Sequence, residues 1–180
     1  MRKSAIQPMP ELYGRYIDLV EDLTLNVALD KHFANIQNLN LESLEELGNL
    51  TYKPGKWTVK EVLQHLIDWE RVFVYRAVVF ARKEGTIPSG HDENIMATNS
   101  KANSKSVNEI IEDFIVVRSC TSSLFRGYDE EDLMTVGQNW NMEMSVLSVG
   151  FTIVGHQIHH FNMIQERYLP LLGIDATLIK

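Results

Sequence analysis

The sequence predicts an all-α protein: a four-helix bundle with an additional short N-terminal helix and a long central connection. Three observations carry that prediction. Apolar residues recur at three- and four-residue spacings through four long segments, as they must where a helix buries one stripe. The β-branched residues follow the same spacing instead of alternating, so strand signals are poor throughout. Pro, Gly, Asn and Ser gather between the segments, where the chain has to turn. With 180 residues, 44% of them hydrophobic, the chain can build one substantial core and is expected to form a single domain over 1–180.

Residues 10–20, PELYGRYIDLV, read as the short amphipathic N-terminal helix. Residues 24–47 form the first long segment, with Leu25, Leu29, Phe33, Ile36, Leu39, Leu44 and Leu47 at helical intervals. Pro54 and Gly55 break the pattern. The second long helix opens on a capping box, Thr58 with Glu61 three residues on, and Trp57 with Val62 fits a hydrophobic staple. It should run from Val59 to about Lys83 and stop before Gly85. The polar stretch Gly85–Lys105 buries little and reads as the long connection, a length that in a compact protein marks a functional or a disordered segment. Ser106 and Glu109 form a second capping box and start a helix that ends at Gly127. After a second loop, residues 127–142, the last helix should extend from about Glu143 to Tyr168, before Pro170.

Charge and composition narrow the function. A formal net charge of −7, with Lys and Arg scattered, gives no basic patch for nucleic acid or an anionic membrane. No apolar run approaches the roughly 20 residues needed to span a bilayer, and MRKSAIQPMP lacks the apolar core of a signal peptide. A cytoplasmic protein is the expectation, and the lone Cys120 fits a reducing compartment. Cys120 sits mid-helix with no cation run to activate it as a nucleophile.

Three of the six histidines fall in GHQIHHFNMIQERY, residues 155–168. His156 and His160 are four apart, share a helical face with Ile153 and Ile164, and should point into the bundle. His159 is rotated about 100° from His160 and is the weaker member. His65 lies on the stripe Val62, Trp69 and Val72 of the second long helix. Two imidazoles from one helix and one from another make a feasible set for a divalent metal, because bundles build metal sites from facing helices. Neutral imidazole suits Zn, Ni, Fe or Cu better than Mg or Ca. The alternative for each ring is an ordinary hydrogen-bonded core histidine. Gln157 stands where a metalloprotease helix would have its Glu base, which argues against peptidase chemistry. Asp68, one turn past His65, is the candidate catalytic carboxylate, as a base or as a group orienting a ligand; its alternative is an ion pair with Arg71. Trp57, Trp69 and Trp140 read as packing residues, with Trp140 as a further candidate for a pocket mouth.

The strings YKPGKWTVKEVLQHLIDWERVFVYRAVVFAR, residues 52–82, and IVGHQIHHFNMIQERYL, residues 153–169, resemble the DinB-like superfamily of metal-dependent four-helix bundles, nearest its YfiT-type branch. The resemblance implies a divalent metal, Ni or Zn first and Fe or Mn next, held by His65, His156 and His160. It also implies thiol-dependent chemistry, with a bacillithiol-type low-molecular-weight thiol transferred onto a small electrophile, or a hydrolase reaction. The metal would then acidify the incoming thiol. The alternative from another class is a non-catalytic protein that keeps the fold, and the metal, for stability or homodimer formation.

Overall fold

A computed structural model describes residues 1–173 and 176–180. Four long helices form the bundle: α2 (Leu25–Gln37), α4 (Val59–Ala81), α6 (Val107–Arg126) and α8 (Val146–Met163). Around them lie the short helices α1 (Gly14–Ile17), α3 (Leu41–Leu47), α5 (Glu93–Asn99) and α7 (Glu130–Met134), and a hairpin of β1 (Val136–Asn139) and β2 (Met142–Ser145). Within the bundle α4 packs on α6 and α8, and α2 packs on the same two helices. No helix among the described residues is long and apolar enough to cross a membrane.

Both predicted capping boxes form. Thr58 Oγ1 accepts from the Glu61 amide at 3.2 Å while the Thr58 amide donates to the Glu61 carboxylate at 2.8 Å, and Ser106 repeats the exchange with Glu109. These bonds satisfy helix-end donors that would otherwise be orphaned. They fix where α4 starts, and thereby which residues of α4 face the interior.

Three elements depart from the sequence reading. The segment expected as one helix over 24–47 is two, because Asn38 and Asn40 bond to residues 178 and 180 near the C-terminus instead of continuing the helix. The Asn40 amide donates to the Leu178 carbonyl at 2.8 Å, the Lys180 amide donates to Asn38 at 2.9 Å, and the Asn40 side chain then caps α3. The long connection is not without structure: Asp92 accepts from the amides of Asn94 and Ile95 at 2.9 and 3.0 Å, and this cap starts α5, which lies on α4. Residues 143–145, expected at the start of the last helix, belong to β2, paired with β1 through the two-residue turn Trp140–Asn141, where Trp140 has φ 53°. α8 begins only after Ser145, whose side chain accepts from the Ser148 amide.

The core comes in two apolar clusters. One contains Ile17, Leu29, Phe73, Phe80, Phe125 and Phe151, and the other contains Leu44, Leu63, Leu66, Ile110, Phe114 and Ile164. Along α4 the change from one to the other falls between Ile67 and Trp69, and along α8 between Val154 and Phe161. His65, His156 and His160 stand beside that seam. So do Glu70, Arg118 and Gln157, all fully buried, with Arg118 donating to both Glu70 oxygens at 2.8 Å and to the Gln157 side-chain carbonyl at 2.7 Å. Removing Glu70 or Arg118 would leave the other's buried charge uncompensated.

Gly155 decides how α1 sits on α8. A Cβ at this position would overlap the Tyr16 carbonyl carbon and oxygen, so the backbone of α1 lies directly against α8 only because residue 155 has no side chain. Gly155→Ala should push α1 off α8 and destabilise the fold by about 1–3 kcal/mol, lowering the thermal midpoint by several degrees at about 2–4 °C per kcal/mol. An unchanged midpoint in calorimetry would show that α1 is not seated as described.

Candidate metal centre

His65 is delivered by α4, His156 and His160 by successive turns of α8. The Nε2 atoms of His65 and His156 lie 3.1 Å apart, as do those of His156 and His160, and all three rings are buried. They are the metal-capable cluster among the described residues, with one ligand atom from each ring within 4.8 Å of the others. Hydrogen bonding alone does not satisfy this arrangement. A ring nitrogen carries either one proton or one lone pair, so His156 Nε2 cannot make a full bond to both neighbours. A cation at the common point accepts all three lone pairs. With metal–nitrogen bonds of about 2.0–2.1 Å, the nitrogens of one coordination shell lie roughly 3.0–3.4 Å apart, which the observed 3.1 Å fits. His160 Nδ1, which carries the proton when Nε2 ligates, is buried with no acceptor among the described residues.

Electrostatics keep the rings in the ligating state. Burial, reinforced by His159, holds His65 down to about 4. Burial and then the neighbouring imidazoles hold His156 well below 6.5, and His160 is pushed down to about 2 for the same reasons. All three are neutral at pH 7.

Aromatic side chains surround the centre. The Trp57 ring lies 4.8 Å from His65 and the Trp69 ring 6.1 Å from it, while Tyr16 meets His156 edge-on at 5.2 Å. A cleft of about 360 Å³ reaches His156 between Tyr13, Arg15, Tyr16, Trp69 and Phe73. A second cavity of about 220 Å³ reaches His160 past Tyr52, Lys56, Trp57 and Tyr168. Glu93, the first residue of α5, borders both. The long connection therefore borders both openings to the centre.

The three histidines chosen from the sequence come together. His159 is exposed, with its ring 5.2 Å from that of Tyr16. Asp68 does not reach the rings: it accepts from Gln64 at 2.9 Å and pairs with Arg71 at 3.5 Å, so the ion pair weighed as its alternative is what forms. Gln157 turns away as well, accepting from Arg118 and donating to the His32 carbonyl at 2.9 Å. Trp140 is exposed at the hairpin turn and lines neither cavity. Sequence reasoning missed Tyr13, Tyr16 and Glu93, and read Trp57 and Trp69 as packing alone. The Tyr-rich PELYGRY segment was the available signal, but only the Gly155 contact aims it at the centre.

Fold and site together define a helical bundle with a buried three-histidine centre open to a cleft. The chain belongs to the DinB superfamily, whose family model matches residues 13–164. Its fold is similar to that of YfiT from Bacillus subtilis, described as a probable metal-dependent hydrolase with an unusual four-helix bundle topology. That match has a TM-score of 0.67 and 16% identity, covering 91% of this chain and 89% of the other. No curated protein matches the chain in sequence.

The lowered histidine values set a pH dependence for the metal-free protein. Unfolded histidines take up protons as pH falls through about 6.5, whereas folded His65 does so only near 4, folded His160 near 2, and buried His156 well below 6.5. Between pH 6.5 and 4 the unfolded state therefore binds more protons, and stability falls with pH by up to about 1.4 kcal/mol per pH unit for each such group. Urea unfolding of chelator-treated protein should show a clearly lower midpoint at pH 5 than at pH 7. Equal midpoints would contradict burial of neutral rings.

Proposed function

We propose that the protein is a metal-dependent enzyme acting on small electrophiles, as a hydrolase or as a thiol-dependent S-transferase using a bacillithiol-type thiol. One observation carries this reading: the donor set stops at three. No fourth histidine, cysteine or carboxylate joins the cluster among the described residues, and the cleft reaches His156. Structural zinc is closed in by four protein donors, while catalytic centres keep a position for a reactant. A divalent ion held there, Ni or Zn by preference for imidazole and Fe or Mn next, supplies Lewis acidity toward a small oxygen or sulfur ligand.

The chain's own residues supply the remainder. His65, His156 and His160 stay neutral through burial and present their Nε2 lone pairs. Tyr16, Trp69 and Phe73 on one side, and Trp57 and Tyr52 on the other, restrict water and offer apolar faces to a reactant. Two cavities at one centre suit two reactants, a thiol and an electrophile, and so favour the transferase form. The description given to YfiT favours the hydrolase form. Asp68, bonded to Gln64 and Arg71, is given no proton-transfer step.

The test uses metal-free protein reloaded with Ni or Zn. It is assayed on p-nitrophenyl acetate alone, and on 1-chloro-2,4-dinitrobenzene with bacillithiol, glutathione or cysteine. Metal-dependent turnover in one of these assays is expected, falling more than about a hundredfold in His65→Ala, His156→Ala and His160→Ala together with loss of the ion by elemental analysis. His159→Ala should keep both. Retention of the ion by the three variants, or no acceleration in any assay, contradicts the proposal.

A further inference from the structure

Two arginines are buried in this bundle, and they are treated differently. Arg118 is neutralised by the Glu70 carboxylate. Arg76, 1% exposed, pairs with no carboxylate among the described residues. Its guanidinium donates instead to the Tyr13 hydroxyl oxygen at 3.2 Å and to the Ser89 carbonyl at 3.4 Å, and its Nε has no partner. The Trp69 and Phe73 rings lie 5.5 Å from it. A buried cation without a counter-charge is costly to keep, and cation–π contacts offset only part of that.

Arg76 bears on the cleft through Tyr13. A phenol has one proton and two lone pairs. Arg76 occupies one lone pair, and the Tyr13 proton has no acceptor among the described residues. Tyr13 lines the cleft with His156, edge-on to Phe73 at 5.4 Å. Tyr13 is half-buried, so its O–H has cleft water but no protein group to donate to, and it is strengthened as a donor by the cation behind it. Tyr16, Trp69 and Phe73 add aromatic faces. Arg15, Glu11 and Glu93 also border it, but all three are exposed and screened by water, whereas Arg76 acts from the low-dielectric interior.

We propose that this cleft recognises a small aromatic carboxylate, with Tyr13 as the hydrogen-bond donor to its oxygen and Arg76 as the positioning residue that holds the phenol. The inference rests on the cleft being the one that serves the three-histidine centre, but binding itself requires no ion. It names the class of compound the enzyme takes: an aryl or similarly flat apolar group carrying a carboxylate, seated beside His156.

The experiment titrates full-length, metal-free protein with phenylacetate and with its neutral counterpart 2-phenylethanol, following the Trp69 indole N–H by NMR. Phenylacetate should shift that signal and bind about tenfold or more tightly than the alcohol, the range expected for one hydrogen bond to a charged group. Tyr13→Phe should abolish the preference while leaving the weak binding of the alcohol in place, and Arg76→Lys should reduce it. A merely structural role for Arg76 would weaken both ligands alike. Equal affinity for the two compounds, no Trp69 shift, or an unchanged preference in Tyr13→Phe overturns the proposal. Failure here beside intact metal-dependent turnover removes this inference alone. Selective binding in a protein without metal-dependent turnover removes the functional reading and leaves the cleft assignment standing.

Discussion

Three imidazole nitrogens meeting at one point between two apolar clusters are the constraint on which the rest of the structure depends. They need α4 and α8 side by side at a fixed rotation and height, since a shift of one residue on either helix would carry a ring about 100° around its axis. The Thr58 cap fixes the start of α4, the Ser145 cap that of α8, and the Glu70–Arg118–Gln157 network ties α4, α6 and α8 together beside the rings. Buried polar groups at such a level are unfavourable unless each has a partner. Arg118, Glu70 and Gln157 satisfy one another. The histidines do not, and that difference separates a structural polar network from a place for an ion.

The openings beside the centre are shaped by parts of the chain that lie outside the four long helices. Gly155, immediately before His156, removes the side chain that would hold α1 away, so Tyr16 meets the His156 ring and Tyr13 lines the cleft beside it. α5 places Glu93 at the borders of both cavities. Packing thus leads directly to chemistry: one missing methyl group on α8 admits two phenols to the neighbourhood of the donor set.

Much of this was legible in the residues because it is local. The two capping boxes, the helical stripes of α4, α6 and α8, and the shared face of His156 and His160 depend on spacings of three and four positions. His65 could be set on its helix stripe, but joining it to the α8 pair across the bundle drew on the family resemblance as much as on periodicity. What escaped depends on distant partners or on elements too short for a periodic pattern. The break at Asn38–Asn40 arises from pairing with residues 178–180, at the other end of the chain. α5 has seven residues, and each strand of the hairpin four. Asp68 looked suited to the site because it follows His65 by one turn, but three residues of helix also bring Arg71 alongside it, and the ion pair prevailed. Tyr13 and Arg76 are 63 positions apart, and no one-dimensional signal links them.

The central claim is that His65, His156 and His160 hold one divalent ion and leave room beside it. X-ray absorption at the zinc edge of zinc-loaded protein measures this directly. Three imidazole nitrogens at about 2.0–2.1 Å are expected, completed by a light atom from solvent, with a sulfur scatterer near 2.3 Å replacing it when a thiol is added. A shell with one or no imidazole, or one closed by four protein donors and unchanged by thiol, would contradict the claim.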